Sequence, residues 1–213
     1  MSEQPDRAVG DGTPPRRRRV DARQNMDALV AAATAVFADE GVDAPAKQIT
    51  DRAGLGVGTL YRHFPRRSDL VLAVLRHEID TCADAVATLG AAHDPETALV
   101  AWLDRYTALL AHKQGLAHAL HSEDPAFEAL RGHFDARIEP ALRPLLAAAA
   151  ATGRVRDDLD AQELLHAVAL LCLPVPGEEP GHRDRRLAVF LDGLRCTSAG
   201  EGPAPSPPAR RPS

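Results

Sequence analysis

Thr59, Arg62 and His63 carry a hydroxyl, a guanidinium and an imidazole at the i, i+3, i+4 spacing that sets three side chains on one helical face. Such a face is built for polar contact, donating and accepting hydrogen bonds toward a partner rather than packing into a core. Leu60 and Phe64 lie four apart on the other side of the same segment, and Ile49 and Ala53 repeat that step just upstream. Two short apolar faces therefore meet. Gly54 stands between them, where a helix ends in the left-handed conformation that a Cβ tolerates poorly. Leu55 can then plug the angle between the helices. Over Gln48 to Leu70 the chain thus reads as helix, glycine turn and helix, a way to hold one helix against DNA.

Those helices need a support. Met26, Leu29, Val30, Ala33, Val36 and Phe37 form one stripe of a first helix expected over Ala22 to Asp39, with Gly41 as its stop. Asp43 then fits an N-cap, and Pro45 the first turn of the next helix. A fourth helix is expected from Arg67 or Ser68, carrying Leu70, Val71, Val74, Leu75 and Ile79.

The wording GTLYRHF, followed by Pro65, two arginines, Ser68, Asp69 and Leu70 and preceded by an amphipathic helix, resembles the DNA-binding domain of the tetracycline-repressor (TetR) family of bacterial regulators. The resemblance covers residues 22 to 82 closely and the remainder in layout. It implies an all-α fold, in which an N-terminal three-helix helix-turn-helix domain is linked to a C-terminal helical ligand-binding and dimerisation domain. It also implies that Val57, Gly58, Thr59, Arg62 and His63 lie nearest the bases in the major groove, while Lys47, Tyr61 and Arg67 hold phosphates. The chain departs from the commoner family pattern at Gly56, where a serine often caps the reading helix, and at Val57, where a polar residue often follows. Val57 has two readings, against a thymine methyl or inward beside Leu60.

Composition fits this layout. The 213 residues can bury a real core, and with 45% hydrophobic but only 4% aromatic residues that core is built from Ala, Leu and Val, which favour helices. The net charge of −5 looks wrong for a partner of DNA until it is divided along the chain. Arg16 to Arg19, Arg23, Lys47, Arg52, Arg62, Arg66, Arg67 and Arg76 crowd the first third, and local charge sets attraction to phosphate. Residues 1–20 read as a disordered basic arm, either merely solvated or entering a minor groove. Residues 22–82 form the expected DNA-binding domain, with the motif at 45–64; residues 83–197 form the helical ligand-binding and dimerisation domain, and residues 198–213 a Pro-rich tail.

In the second domain, Asp94 and Pro95 open a helix carrying Leu99, Trp102, Leu103, Tyr106, Leu109 and Leu110 at helical period. A short helix is expected near Gly115 to His121, then a long one from Pro125 to Gly153 that Pro140 and Pro144 should kink or break. Asp160 with Glu163 reads as a capping box, and a last helix is expected over Arg183 to Arg195. By resemblance, the last two helices form a homodimer interface, and a small-molecule effector of unspecified identity sits among the central helices. Trp102, Tyr106, Phe127 and Phe134 could line that pocket and His118 or His121 give it polar contacts, although aromatics on such stripes are normally core.

Other chemistries are weaker. His118 and His121 lie three apart with His112, Glu123 and His133 nearby, a set that could take zinc but includes no thiolate and is equally explained by solvent-facing histidines. A helical metal-binding or enzymatic protein built on this segment is the alternative reading. No nucleophile elbow, phosphate loop or paired-carboxylate motif supports catalysis, so no catalytic residue, metal ligand or cofactor is carried forward. Cys82, Cys172 and Cys196 are too few and too far apart for a disulfide framework and read as reduced thiols. With no apolar run of signal or membrane-spanning length, a cytoplasmic protein is expected.

Overall fold

The computed structural model describes residues 15–117, 125–179 and 181–195, with side chains over 20–112, 128–179 and 181–195. Eight helices are present among these residues: α1 (Pro15–Glu40), α2 (Ala46–Ala53), α3 (Val57–His63), α4 (Arg67–Ala92), α5 (Pro95–Ala117), α6 (Pro125–Ala150), α7 (Ala161–Leu171) and α8 (His182–Leu194). The one extended pairing among them is an isolated antiparallel bridge between Val155 and Arg195. They pack as two units, one holding the residues up to Asp80 with those between Ala111 and Phe134, the other Thr81–Leu110 with the residues from Asp135 onward. Of the described residues, 111–117 and 125–134 group with the first unit.

In the first unit, α1 supplies the wall on which α2 and α3 pack. Leu29, Ala33, Val36 and Phe37 of α1 are buried with Ile49, Leu60 and Phe64, and with Leu70, Val71 and Val74 of α4. The stripe expected on α1 is correct except at Met26, which is 39% exposed. α1 also begins at Pro15 rather than Ala22, so the backbone of Arg16 to Arg19 is helical where an irregular arm is expected. Proline is at home in a first turn and arginine is a good helix former, so the helix extends beyond its apolar stripe. Residues 1–14 of the arm lie outside the described residues. Gly41 ends α1 with φ +81°, its N–H donating to the Phe37 carbonyl at 3.0 Å.

Asp43 does not cap α2. Pro45 holds the cap position in extended geometry, and the preceding residues form a turn in which the Ala44 N–H donates to the Gly41 carbonyl at 3.3 Å. Ala44 is buried, and this anchor sets the chain's entry into α2 without a capping side chain. α4 starts at Arg67 as expected. Asp69 accepts from the Arg66 backbone N–H and guanidinium, each at 3.0 Å, which holds its carboxyl below the usual range.

The second unit is built on Ala98, Leu99, Trp102, Leu103, Tyr106, Ile138, Leu142, Ala149, Leu164 and Val168, all 2% exposed or less. Asp94 opens α5 by accepting from the Thr97 N–H and hydroxyl at 3.3 and 2.6 Å. Asp160 and Glu163 form both halves of the capping box at the start of α7. The helix expected at 115–121 is not separate over its described part, because residues 115–117 continue α5; the rest lies outside the described residues. Of the kink or break expected in α6, the break does not occur, since the helix runs on through Pro140 and Pro144. Both prolines face solvent, so the carbonyls that lose their intrahelical donors can be met by water.

Cys82 and Cys172 are buried thiols, and burial pushes Cys82 up to about 12. Such thiols pack as small hydrophobes. Cys196 lies outside the described residues, as does the tail 198–213. Among the described residues no helix is long and apolar enough to cross a membrane.

Candidate nucleic-acid interface

The turn between α2 and α3 follows from three residues. Gly54 adopts φ +66°, ψ 27°, and its N–H and that of Leu55 turn back onto the last carbonyls of α2, Asp51 at 3.2 Å and Thr50 at 2.9 Å. Thr50, 1% exposed, spends its own hydroxyl on the Lys47 carbonyl at 3.0 Å, so the buried polar group is satisfied. Gly56 then takes the N-cap position of α3 without any side-chain cap, its carbonyl accepting from the Thr59 and Leu60 N–H groups. Leu55 is half-buried in the angle.

α3 is anchored by Leu60, 3% exposed, and by Phe64 at its C-cap, 6% exposed. Everything expected to read DNA lies away from these anchors. Val57 is 39% exposed and Tyr61 54%; Gly58 and Arg62 are exposed, Thr59 and His63 half-buried. Val57 therefore does not tuck in beside Leu60. A Cβ at Gly58 would meet nothing within 4 Å, so the protein's own packing does not call for glycine there. His63 lies at the edge of the anchor, its ring 6.4 Å from that of Phe64.

The three residues expected at phosphates differ. Tyr61 projects from α3. Lys47, on the exposed face of α2, pairs with Asp51 at 2.6 Å. Exposed i, i+4 pairs are worth only about 0.5 kcal/mol, so a phosphate competes easily for the ammonium. Arg67 is committed to the protein itself: its guanidinium donates to the carbonyls of Val42 and Ala44, the latter at 2.6 Å, and lies 5.5 Å from the centroid of the Phe37 ring. It braces the α1–α2 turn. Nothing local in the sequence signals this, because the partners lie 23 and 25 residues upstream.

Residues 29–74 match the model of the bacterial regulatory proteins of the tetR family, and residues 94–196 match a C-terminal domain described as transcriptional regulator SbtR-like. A TetR transcriptional regulator from Streptomyces coelicolor of known structure is 36% identical, with a TM-score of 0.67, over 81% of this chain and 99% of its own. The chain belongs to the TetR family. A second TetR regulator, from Mycobacterium vanbaalenii, is 33% identical with a TM-score of 0.66 over 84% of this chain and 99% of its own. An HTH-type transcriptional regulator of Staphylococcus aureus is 38% identical over 63 residues, so the chain spans 34% of the length of that curated relative. TetR-family regulators are DNA-binding proteins and not enzymes, and the helix-turn-helix is the part that reads.

The residues considered for an effector pocket of this TetR-family member are distributed differently from a single cluster. Trp102 and Tyr106 stack at 5.9 Å in the second unit, 0% and 2% exposed. Their polar ends are used internally, the indole N–H on the Cys82 carbonyl at 2.9 Å and the phenol on the Leu165 carbonyl at 3.4 Å. Burying such an indole is worth about 4 kcal/mol, which makes the pair a structural core. Phe134 is half-buried in the first unit. His118 and His121 lie outside the described residues, and so does the side chain of Phe127. Of the histidine set, His112 pairs with Glu78 at 3.0 Å and His133 with Asp80 at 2.9 Å, and no metal-sized cluster forms among the described residues.

Proposed function

We propose that this TetR-family regulator is a repressor that binds a two-fold operator as a homodimer in the cytoplasm and is released by a small-molecule effector. The observation that carries the reading is the outward face of α3, with Thr59, Tyr61 and Arg62 presented while Leu60 and Phe64 fix the helix from behind. Thr59, Arg62 and His63 supply hydrogen bonds to base edges, Val57 a methyl contact, and Gly58 room for close approach. Tyr61 and Lys47 hold phosphates, and Arg67 sets the turn that presents them.

One short helix reads few base pairs, so two copies on half-sites are needed. The exposed Leu170 (67%) and Val189 (73%) of α7 and α8, with Leu173 and Val175 between them, support a second copy as their cover. The effector binds within the helices that follow the helix-turn-helix domain. Its release of DNA follows from unequal affinity for two states of the protein.

Selection of bound duplexes from genomic fragments tests this. The expected product is a two-fold sequence whose base preference changes in Thr59→Ala or Arg62→Ala by about 1–3 kcal/mol at one position. Tyr61→Phe and Lys47→Ala should weaken all duplexes alike. A footprint insensitive to all four removes the assignment.

A further inference from the structure

Glu78 is a carboxylate that the DNA-reading face does not use. It lies on α4 with its side chain 13% exposed, and one oxygen shares a hydrogen bond of 3.0 Å with His112 Nδ1. The other, Oε2, is shut off from solvent and has no hydrogen-bond partner among the described residues. A buried acceptor left unmade costs about 1–3 kcal/mol, more when charged, and native proteins rarely keep one without a use. Burial accordingly pushes this carboxyl above its ordinary range, against the opposing pull of His112 and His77.

Glu78 lines a cavity of about 220 Å³ inside the first unit, walled by Phe37, Val42, Val74 and Ala111, with Thr34 and His112 as its other polar members. At about 30 Å³ per water the space holds roughly seven waters, or one small organic molecule. The Thr34 hydroxyl already donates to the Val30 carbonyl at 2.9 Å, which leaves its oxygen to accept. His112 Nδ1 and Glu78 share a hydrogen bond of 3.0 Å. The cavity also borders the last turn of α1, the negative end of that helix's dipole.

We propose that this cavity is a binding site for a small organic ammonium ion, its N–H groups meeting Glu78 and Thr34 and its apolar body lying against Phe37, Val42 and Val74. The cation approaches the oxygen that shares its hydrogen bond with His112, since Oε2 is shut off from solvent. The site lies in the unit that carries α2 and α3.

Calorimetric titration of the full chain with benzylammonium chloride, beside benzyl alcohol and benzoate as matched neutral and anionic probes, tests it without reference to DNA. Saturable one-site binding of benzylammonium is expected, at least tenfold tighter than benzyl alcohol, with benzoate inert. Glu78→Gln, checked for unchanged helix content, should lose at least tenfold, and Thr34 and Ala111 methyl resonances should shift on titration. Absence of saturable binding, equal affinity for the alcohol, or undiminished binding by Glu78→Gln overturns the proposal. If that variant does not fold, the comparison of the three probes decides alone.

Discussion

Gly54 shows how much of a recognition unit can depend on one missing methyl group. At φ +66° an L side chain is strained, while a Cβ would meet nothing within 4 Å, so the entire cost of adding one is conformational. Gly54→Ala is expected to destabilise the protein by about 1–2 kcal/mol. Chemical denaturation would show it as a lower midpoint with unchanged slope, and an unchanged midpoint would mean that the turn relaxes freely. Arg67 makes the complementary point. The family resemblance sets it at a phosphate, while in the protein alone its guanidinium donates to the carbonyls of Val42 and Ala44 and lies against the Phe37 ring. A side chain's charge states what it can do; only its neighbours in space decide what it does.

At the scale of elements, helices are legible where local spacing or capping chemistry specifies them. Ile49, Gly54, Leu60 and Phe64 define α2, the turn and α3 because the spacing and the glycine that specify them lie within one short stretch. The Asp160 and Glu163 pair marks the start of α7 for the same reason. Asp160→Ala should cost about 1 kcal/mol, read as a drop in thermal midpoint, while Glu163→Gln, which keeps an acceptor for the cap N–H, should cost less. Equal losses would show that charge near the helix start, not the reciprocal hydrogen bonds, carries the effect. Periodicity is silent where a helix outruns its apolar face, as α1 does toward Pro15, and it misreads prolines whose freed carbonyls face water, as in α6. The pairing of Glu78 with His112, 34 residues apart on different helices, leaves no local trace at all.

For the whole molecule, most of what the sequence discloses concerns reading, and most of what it withholds concerns control. The helix-turn-helix is nearly complete in one stretch, whereas an effector cavity collects residues from distant segments and an interface from a partner. The apolar exposure on α7 and α8 can be tested directly. A Leu170→Asp, Val189→Asp double substitution should convert a dimer to a monomer in sedimentation while leaving helix content intact, and a wild-type chain that sediments as a monomer would remove the paired-site arrangement. If a second copy covers Leu170 and Val189 as proposed, abundance itself becomes a signal. At concentrations where most copies are single, the population able to occupy both proposed half-sites would grow with the square of the amount of protein, so halving synthesis would cut that population fourfold. On that arrangement a modest change in the protein's production would alter transcription steeply.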